Sequence, residues 1–322
     1  MHAHPDIAAL RTDREPQRRA QAAMEGALQA WRAHSATAPL VADIERYGAG
    51  DDLETCARLQ AVFGDCRVAG ELVDALVGEF TKALRANPYG HPPFRNGFDG
   101  HSSSLLLARS GRAQLLLQAR EPGYNPADGY IYTDAERHDC VLGGDAEGRI
   151  VTLGEHPGGE ARFAERAVRL TAGVRLTLDL STEALLVENV ARRLVVLRLV
   201  RAPDNPRPVR QFEAATGRLR QTSAGQIATS RQEAIVTLLG RLGRTDAAPE
   251  FVRIALREGE QSLRWLALRE CLALDTAAGF AALSDLARRD ADPLAAHAGA
   301  LRAQLLEAHP QLAILEGQSC PA

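Results

Sequence analysis

Three side chains that can bind a metal alternate along one short segment, Glu136-Arg-His138-Asp-Cys140. In an extended strand, side chains two positions apart project from the same face, so these three would point together. Carboxylate and imidazole ligands with an open coordination position suit Zn, Fe or Mn. His156 follows another predicted strand, and His101 lies in the loop before the first one. The sequence therefore predicts a divalent-metal site, with His101, Glu136, His138 and His156 as its ligands.

The same segment also has an ordinary structural explanation. A histidine between Arg137 and Asp139 is typical of a solvated strand edge. A cysteine such as Cys140 is most often a small buried apolar residue. No cofactor is certain on these residues alone, and both interpretations stay open.

A second candidate site is the loop that precedes the predicted strands. Residues 87–103 contain three prolines and three glycines, too many for regular secondary structure. Aromatic residues with arginine form interface anchors and ligand lids. We therefore predict a loop that binds a ligand or partner through Tyr89, His91, Phe94, Arg95, Phe98 and Asp99. The alternative is that Phe94 and Phe98 pack beneath the loop and hold it to the sheet.

Arginines are concentrated around one long predicted strand. They are Arg192, Arg193, Arg198, Arg201, Arg207 and Arg210. An anion or an acidic partner could bind there. A solvated strand face whose ends lie in loops explains the same composition.

Helical periodicity precedes the predicted strands. After a flexible N-terminus over 1–14, Ala20, Met24, Leu28 and Trp31 fall on one stripe of an amphipathic helix. Similar stripes continue to about residue 86, so we predict a helical segment over 15–86. Residues 87–103 would then be an irregular linker.

The hydrophobic period changes to two in the middle of the chain. Val174–Leu180 alternates between apolar and polar side chains, whereas Leu194–Val200 is apolar at nearly every position. About nine short strands separated by glycine-containing turns indicate an antiparallel sandwich of the jelly-roll kind over 104–222.

A jelly roll that holds His101, His138 and His156 resembles a cupin. The resemblance implies a metal site inside the β domain. Cupins carry a closely spaced His-x-His motif on their first metal-binding strand, whereas here that motif occurs only as His2-Ala-His4. Glu136 and His138 would have to replace it.

The last third of the chain repeats a capped apolar helix about every 30 residues, beginning near Ser230, Ser262 and Asp292. This spacing resembles short HEAT-type repeats, which bury their apolar faces against their neighbours. We predict a HEAT-like helical domain over 229–310 and a flexible tail over 311–322. A plain helical bundle is the alternative.

Composition narrows the function further. The chain has 322 residues, 45% of them hydrophobic, and a net charge of −3 without a block of like charges, so nucleic acid is not an expected partner. We find no apolar run of roughly 18 residues and no signal-like N-terminus, which predicts a cytoplasmic protein that does not bind a membrane. The five scattered cysteines include no C-x-x-C pair, which argues against a disulfide framework.

The sequence therefore predicts an α+β multidomain protein of bacterial type. It would have a helical N-terminal segment, a cupin-like antiparallel β sandwich and a HEAT-like C-terminal domain. Motifs of high catalytic specificity are absent. We expect a binding or regulatory module that recognises a protein or small ligand, with a protein partner or self-association. The alternatives are a metal-dependent enzyme of the cupin type and a structural homodimer formed through the β domain.

Overall fold

The computed structural model describes residues 13–125, 127–154 and 160–316. The chain divides into two units. The first comprises the residues up to Pro206 together with Arg210–Gln221, and the second comprises Arg207–Val209 and the residues from Thr222. Helical N-terminal and C-terminal regions flank a central antiparallel β sandwich. None of the described helices is both long and apolar enough to cross a bilayer.

The first unit begins with four helices. They are α1 (Glu15–Ala33), α2 (Ala38–Ala49), α3 (Ala57–Gly64) and α4 (Cys66–Ala86), with a 3₁₀ turn at Leu53–Thr55. The stripe expected on α1 is buried, since Ala20, Met24 and Trp31 are at most 1% exposed. The indole Nε1 of Trp31 donates to the carbonyl of Leu72, 3.2 Å away, and so joins α1 to α4.

Eleven strands follow within the described residues. They are β1 (Arg95–Phe98), β2 (Ser102–Ser110), β3 (Ala113–Arg120), β4 (Gly123–Tyr124), β5 (Gly129–Tyr132), β6 (Glu136–Gly154), β7 (Arg162–Thr171), β8 (Arg175–Asp179), β9 (Glu183–Arg201), β10 (Val209–Glu213) and β11 (Leu219–Ser223). The larger sheet has the order β1-β2-β3-β9-β6-β7, with β4 beside β9 and β8 beside β6. The smaller sheet has the order β11-β10-β5.

Strands β6 and β9 are much longer than the sequence analysis expected. Each has 19 residues and replaces two predicted short strands. Their antiparallel register shifts between Val141 and Gly148, and such bulges bend a strand. As a result β6 pairs with β8 over its first residues and with β7 over its last.

The large sheet has different neighbours on its two faces. Its helix-facing core joins Trp31, Leu72 and Phe80 to the strand residues Leu115 and Leu197. A separate interior cluster is formed by side chains of β6, β7 and β9, namely Val141, Ala146, Leu170, Val187, Val190, Leu194 and Val196. Adjacent residues of one strand therefore belong to different cores.

Residues 87–103, expected to be an irregular linker, contain a strand. β1 pairs with β2 from Arg95↔Leu106 to Phe98↔Ser103. The ring of Phe94 packs 5.2 Å from Phe80 and 6.3 Å from Trp31. This segment is therefore partly an edge strand attached to the helix layer.

One covalent link connects the helix layer to the sheet. Cys66, the first residue of α4, forms a disulfide with Cys140 of β6, and their Cα atoms are 5.6 Å apart. The sequence did not indicate this pair, because 74 residues separate the two cysteines. Cys56 and Cys271 are free and buried.

The second unit is helical. It contains α5 (Ile227–Arg241), α6 (Ala248–Leu256), α7 (Gln261–Leu274), α8 (Thr276–Ala287), α9 (Ala295–Ala308) and α10 (Ala313–Glu316). Ser230, expected to cap a helix, lies inside α5, and Asp275 rather than Thr276 caps α8 by accepting from the Ala278 amide. Residues 311–322 were expected to be a flexible tail, but 313–316 form a helical turn and 317–322 lie outside the described residues.

Gly48 of α2 is required for the helix layer to approach the sheet. A Cβ at this position would lie 2.1 Å from the carbonyl oxygen of Ser110, at the β2–β3 turn. The amide of Arg112 donates to the Gly48 carbonyl at 3.3 Å, which holds this close approach in place.

We expect Gly48→Ala to lower the free energy of unfolding by about 1–3 kcal/mol, because the added methyl group overpacks a backbone contact. Gly26 of α1 is the matched control, since a Cβ there meets nothing within 4 Å. Gly26→Ala should raise stability by about 0.5–1 kcal/mol. Urea denaturation followed by circular dichroism measures both, and equal effects of the two variants would contradict the close approach.

Candidate anion-binding site

Strand β6 presents alternate residues to the two cores. Cys140 belongs to the core that faces the helices, whereas Val141 belongs to the interior cluster. Because side chains alternate along a strand, Glu136 and His138 share the helix-facing side with Cys140. Arg137 and Asp139 lie on the other face with Val141. The segment that attracted attention in the sequence therefore contributes to two different environments.

On the helix-facing side, Glu136 is engaged by other protein groups. The Tyr47 hydroxyl donates to its Oε1, and the Nε of Arg201 lies 2.6 Å from the same oxygen. The Arg201 guanidinium also lies 4.0 Å above the Tyr47 ring. Burial, together with the hydrogen bond to Glu136, raises the pKa of Tyr47 well above its usual range. The carboxylate therefore fixes α2 to the sheet.

His138 is 9% exposed and packs beside Phe63, with 6.3 Å between the ring centroids. Its Nδ1 lies 3.1 Å from the Thr177 hydroxyl, and its Nε2 has no hydrogen-bond partner. Burial lowers the pKa of His138, partly opposed by the negative charges of Glu136 and Asp139. The neutral imidazole is therefore the form that the fold favours.

The predicted metal ligands are only partly brought together. Glu136, His138 and Cys140 share one face, but Glu136 pairs with Arg201 and Cys140 is bonded to Cys66. The backbone amide of His101 donates to Asp99 at an exposed turn.

His156 lies outside the described residues. Within 13–125, 127–154 and 160–316, no group of three or more His, Cys, Asp or Glu side chains is placed to hold a metal ion. The described donors do not fit Zn, Fe or Mn, and we assign no step to a metal.

The interior face of β6 carries a charged group that we call the arginine cluster, formed by Arg120, Arg137, Asp139 and Arg198. The carboxylate of Asp139, 3% exposed, accepts two bonds from Arg198. The Nε and Nη2 of Arg198 lie 2.8 and 2.9 Å from the two carboxylate oxygens. This is the bidentate geometry that guanidinium and carboxylate prefer.

Arg137 contacts the same carboxylate less well. Its Nη2 lies 2.9 Å from Oδ2 of Asp139, but the approach is too poorly aligned for a hydrogen bond, and its Nε has no partner. Burial, with the nearby charge of Arg198, lowers the pKa of Arg137 to about 10. At neutral pH the side chain is therefore a buried cation, 8% exposed, with hydrogen-bonding capacity unused.

Arg120 of β3 adds a third guanidinium to the cluster. Burial and the charge of Arg198 lower the pKa of Arg120, while Asp99 opposes the shift. Asp99 is exposed, so it compensates Arg120 only from the solvent side. Three guanidinium groups thus share one buried carboxylate, Asp139, and the cluster carries excess positive charge.

A cavity of about 10 Å³ opens beside this cluster, close to the room that one water molecule needs. Its polar end is lined by Gln118, Arg120, Asp139 and Arg198. Its walls are apolar and are lined by Val141, Leu170, Leu176, Leu185, Val187, Leu194 and Val196. Guanidinium groups in such surroundings are suited to bind a small anion.

The predicted binding loop separates into two parts. Phe94 packs against the helix layer, which agrees with the alternative that it holds the loop in place. Phe98 is instead 73% exposed and Tyr89 39% exposed, and His91 and Arg95 also face solvent. Asp99 accepts from the hydroxyl and amide of Ser102, which lower the pKa of Asp99 to about 2. Ligand or partner binding by this loop stays a prediction.

Sequence reasoning noticed only one member of the cluster in a binding context. Arg198 was among the arginines for which an anion was considered, whereas Arg137 and Asp139 were interpreted as a solvated strand edge. That interpretation is wrong, because β6 lies between β8 and β9 and both side chains are buried. The usable signal was that Arg198 interrupts an otherwise continuous apolar strand, since a charge at such a position needs a buried partner.

No family model matches the chain, and no curated protein matches it. Similar solved structures include CapF with the inhibitor 3-isopropenyl-tropolone, at 16% identity and a TM-score of 0.27, covering 38% of this chain and 37% of CapF. A cupin superfamily protein from Desulfitobacterium hafniense shares 15% identity at a TM-score of 0.25, covering 33% and 83% of the two chains.

An RmlC-like cupin from Shewanella frigidimarina shares 13% identity at a TM-score of 0.26, covering 35% of this chain and 86% of that chain. The chain thus spans little more than a third of CapF. The β domain is loosely similar to cupins, and scores this low assign neither a family nor an activity.

Asp139→Asn should lower the free energy of unfolding by about 3–5 kcal/mol, because it removes a buried carboxylate and leaves two guanidinium groups uncompensated. Asp145→Asn is the matched control on the same strand, since Asp145 pairs at 3.0 Å with an Arg169 side chain that is 68% exposed. We expect that control to cost less than about 1 kcal/mol. Urea denaturation decides, and a similar small loss in both variants would contradict a buried charge network.

His138 should make stability depend on pH. Its ordinary pKa is 6.5, and burial lowers it in the folded state. Below about pH 6.5 the unfolded chain takes up a proton that the folded chain resists, so stability falls as pH falls, by at most about 1.4 kcal/mol per pH unit. His138→Gln should remove this part of the slope in urea denaturation between pH 7.5 and 5.5. His101→Gln should leave the slope unchanged, and an unaltered slope in both variants would contradict the assignment.

Proposed function

We propose that the protein is a binding module whose β domain recognises a small anionic ligand. The observation that supports this is the unbalanced charge of the arginine cluster, where Arg137 is buried with an unpartnered Nε. A buried charge without full compensation is costly. An anion beside the cluster would offset that cost and would accept the unused hydrogen bonds.

The cavity limits what this anion is. Its size, about 10 Å³, matches an anion with very few atoms, or one anionic group of a larger ligand that displaces the surrounding side chains. A carboxylate fits the planar guanidinium groups because its two oxygens accept parallel hydrogen bonds. The apolar walls disfavour a ligand with several charged groups. We therefore propose a small carboxylate as the ligand class.

The broader setting of this activity is also part of the proposal. A regulatory role, a protein partner or self-association, HEAT-like repeats in the second unit and a bacterial cytoplasmic location remain expectations from the sequence. The alternative of a metal-dependent enzyme of the cupin type is not favoured by any described group of donors.

Formate is the probe, because it is the smallest carboxylate. At ten times its Kd it should add about 1.4 kcal/mol of stability, which raises the Tm by roughly 3–5 °C for a unit of this size. Arg120→Gln removes a charge that lines the cavity without breaking the Asp139 ion pairs, and it should weaken formate binding at least tenfold in calorimetry.

Arg193→Gln is the control on strand β9. Arg193 is 64% exposed and pairs with Glu121 at 3.0 Å, so its loss should not affect the cavity. Equal weakening in Arg120→Gln and Arg193→Gln would indicate nonspecific charge attraction. No binding of formate, acetate or chloride by the unmodified protein would refute the proposal.

A further inference from the structure

The disulfide between Cys66 and Cys140 joins the helix layer to the strand that carries the arginine cluster. Cys140 lies between Asp139 and Val141, and both neighbours line the cavity from the opposite face of β6. The backbone of Val141 is also held from the other side, because its amide donates to the Val174 carbonyl at 2.9 Å. The bond to Cys66 therefore restrains the backbone that positions one wall of the cavity.

The two sulfur atoms differ in access to solvent. Cys140 is fully buried, whereas Cys66 is partly exposed at the first residue of α4. The positive end of the helix and the neighbouring Arg67 favour a thiolate at Cys66. Asp65 opposes this, but its charge is partly offset by the Arg67 guanidinium at 3.4 Å. An external thiol or disulfide thus reaches Cys66 first, and Cys140 completes the exchange.

The other two cysteines do not compete in this chemistry. Cys56 and Cys271 are both buried and unbonded. Burial raises the pKa of each thiol, that of Cys271 to about 11, so neither forms a thiolate readily near neutral pH. Their presence gives an internal reference for any thiol-labelling experiment on this chain.

The open state also has a defined hydrogen-bond acceptor. The Val174 carbonyl oxygen lies 3.7 Å from the Cys66 sulfur, close enough to accept from a free thiol. The same oxygen accepts from the Val141 amide. Opening the disulfide would therefore change the contacts of the residue that holds Val141, in addition to releasing Cys140.

We propose that Cys66 and Cys140 are a reversible thiol–disulfide pair that controls anion binding at the arginine cluster. This inference rests on the proposed function. The bonded form holds residues 139–141 against α4 and binds the anion more tightly. The dithiol form releases this tether and binds it more weakly.

The co-reactant is a low-molecular-weight disulfide such as oxidised glutathione. The Cys66 thiolate attacks one of its sulfurs, forming a mixed disulfide and releasing one thiol. Cys140 then loses its proton and attacks the Cys66 sulfur, which forms the protein disulfide and releases the second thiol. Two electrons pass from the protein to the small disulfide, and two protons end on the released thiols. A reduced thiol reverses both steps.

The test equilibrates the native full chain in glutathione buffers from fully reduced to fully oxidised, quenches with acid and alkylates under denaturing conditions. Peptide mass spectrometry should show the Cys66–Cys140 bond forming and opening across this range, with Cys56 and Cys271 always reduced. Formate titration of the two forms should show at least threefold tighter binding to the bonded form.

Variants separate the two parts of the proposal. Cys66→Ser should bind formate like the dithiol form whatever the glutathione ratio, and Cys56→Ser should respond like the unmodified protein. Cys66→Ser is preferred to Cys140→Ser because Cys66 is less buried.

A bond that never forms, or that never opens in the native protein, overturns the inference. Equal formate affinity of the two forms also overturns it, while the proposed function stands. Loss of formate binding from both forms, with Arg120→Gln indistinguishable from the unmodified protein, overturns both.

Discussion

The structure of the first unit depends on the placement of the central strand β6 between two unlike environments. Because side chains alternate, each residue from 136 to 141 belongs either to the helix layer or to the interior cluster. A register slip of one residue would exchange the two sets and bury each charge among apolar side chains. The ion pair between Asp139 and Arg198 opposes such a slip, since the two residues are direct Cα partners across β6 and β9.

Charge is distributed unequally between these two environments. On the helix side, Glu136 is matched by Arg201 and by the Tyr47 hydroxyl, so that polar group is satisfied. On the interior side, Asp139 serves both Arg198 and Arg137, and Arg120 adds further positive charge. A fold stabilised only by internal pairing would match these charges more closely. The mismatch makes the interior the place where an outside molecule gains the most by binding.

Much of the architecture could be predicted from residue periodicity. The helical stripe through Met24 and Trp31, the change to period two and the return to helices all appear in the structure. The length of β6 and β9 could not be predicted in this way, because their continuity depends on pairing with each other across bulges. The face shared by Glu136 and His138 was anticipated, but their partners Tyr47, Arg201 and Thr177 lie far away in sequence. Local spacing indicates which side chains point together, and only tertiary packing decides what they meet.

The pairing of β6 with β9 also has a consequence for how the chain folds during synthesis. The apolar side of α1 is covered by a core that includes Leu197 and Leu199 of β9, which are made after more than 160 further residues. Domains fold as units during translation, and contacts distant in sequence form slowly. The N-terminal helices must therefore wait at the ribosome with Trp31 uncovered until β9 has emerged. Early termination of synthesis before that point would leave a sticky fragment that a chaperone or protease has to remove.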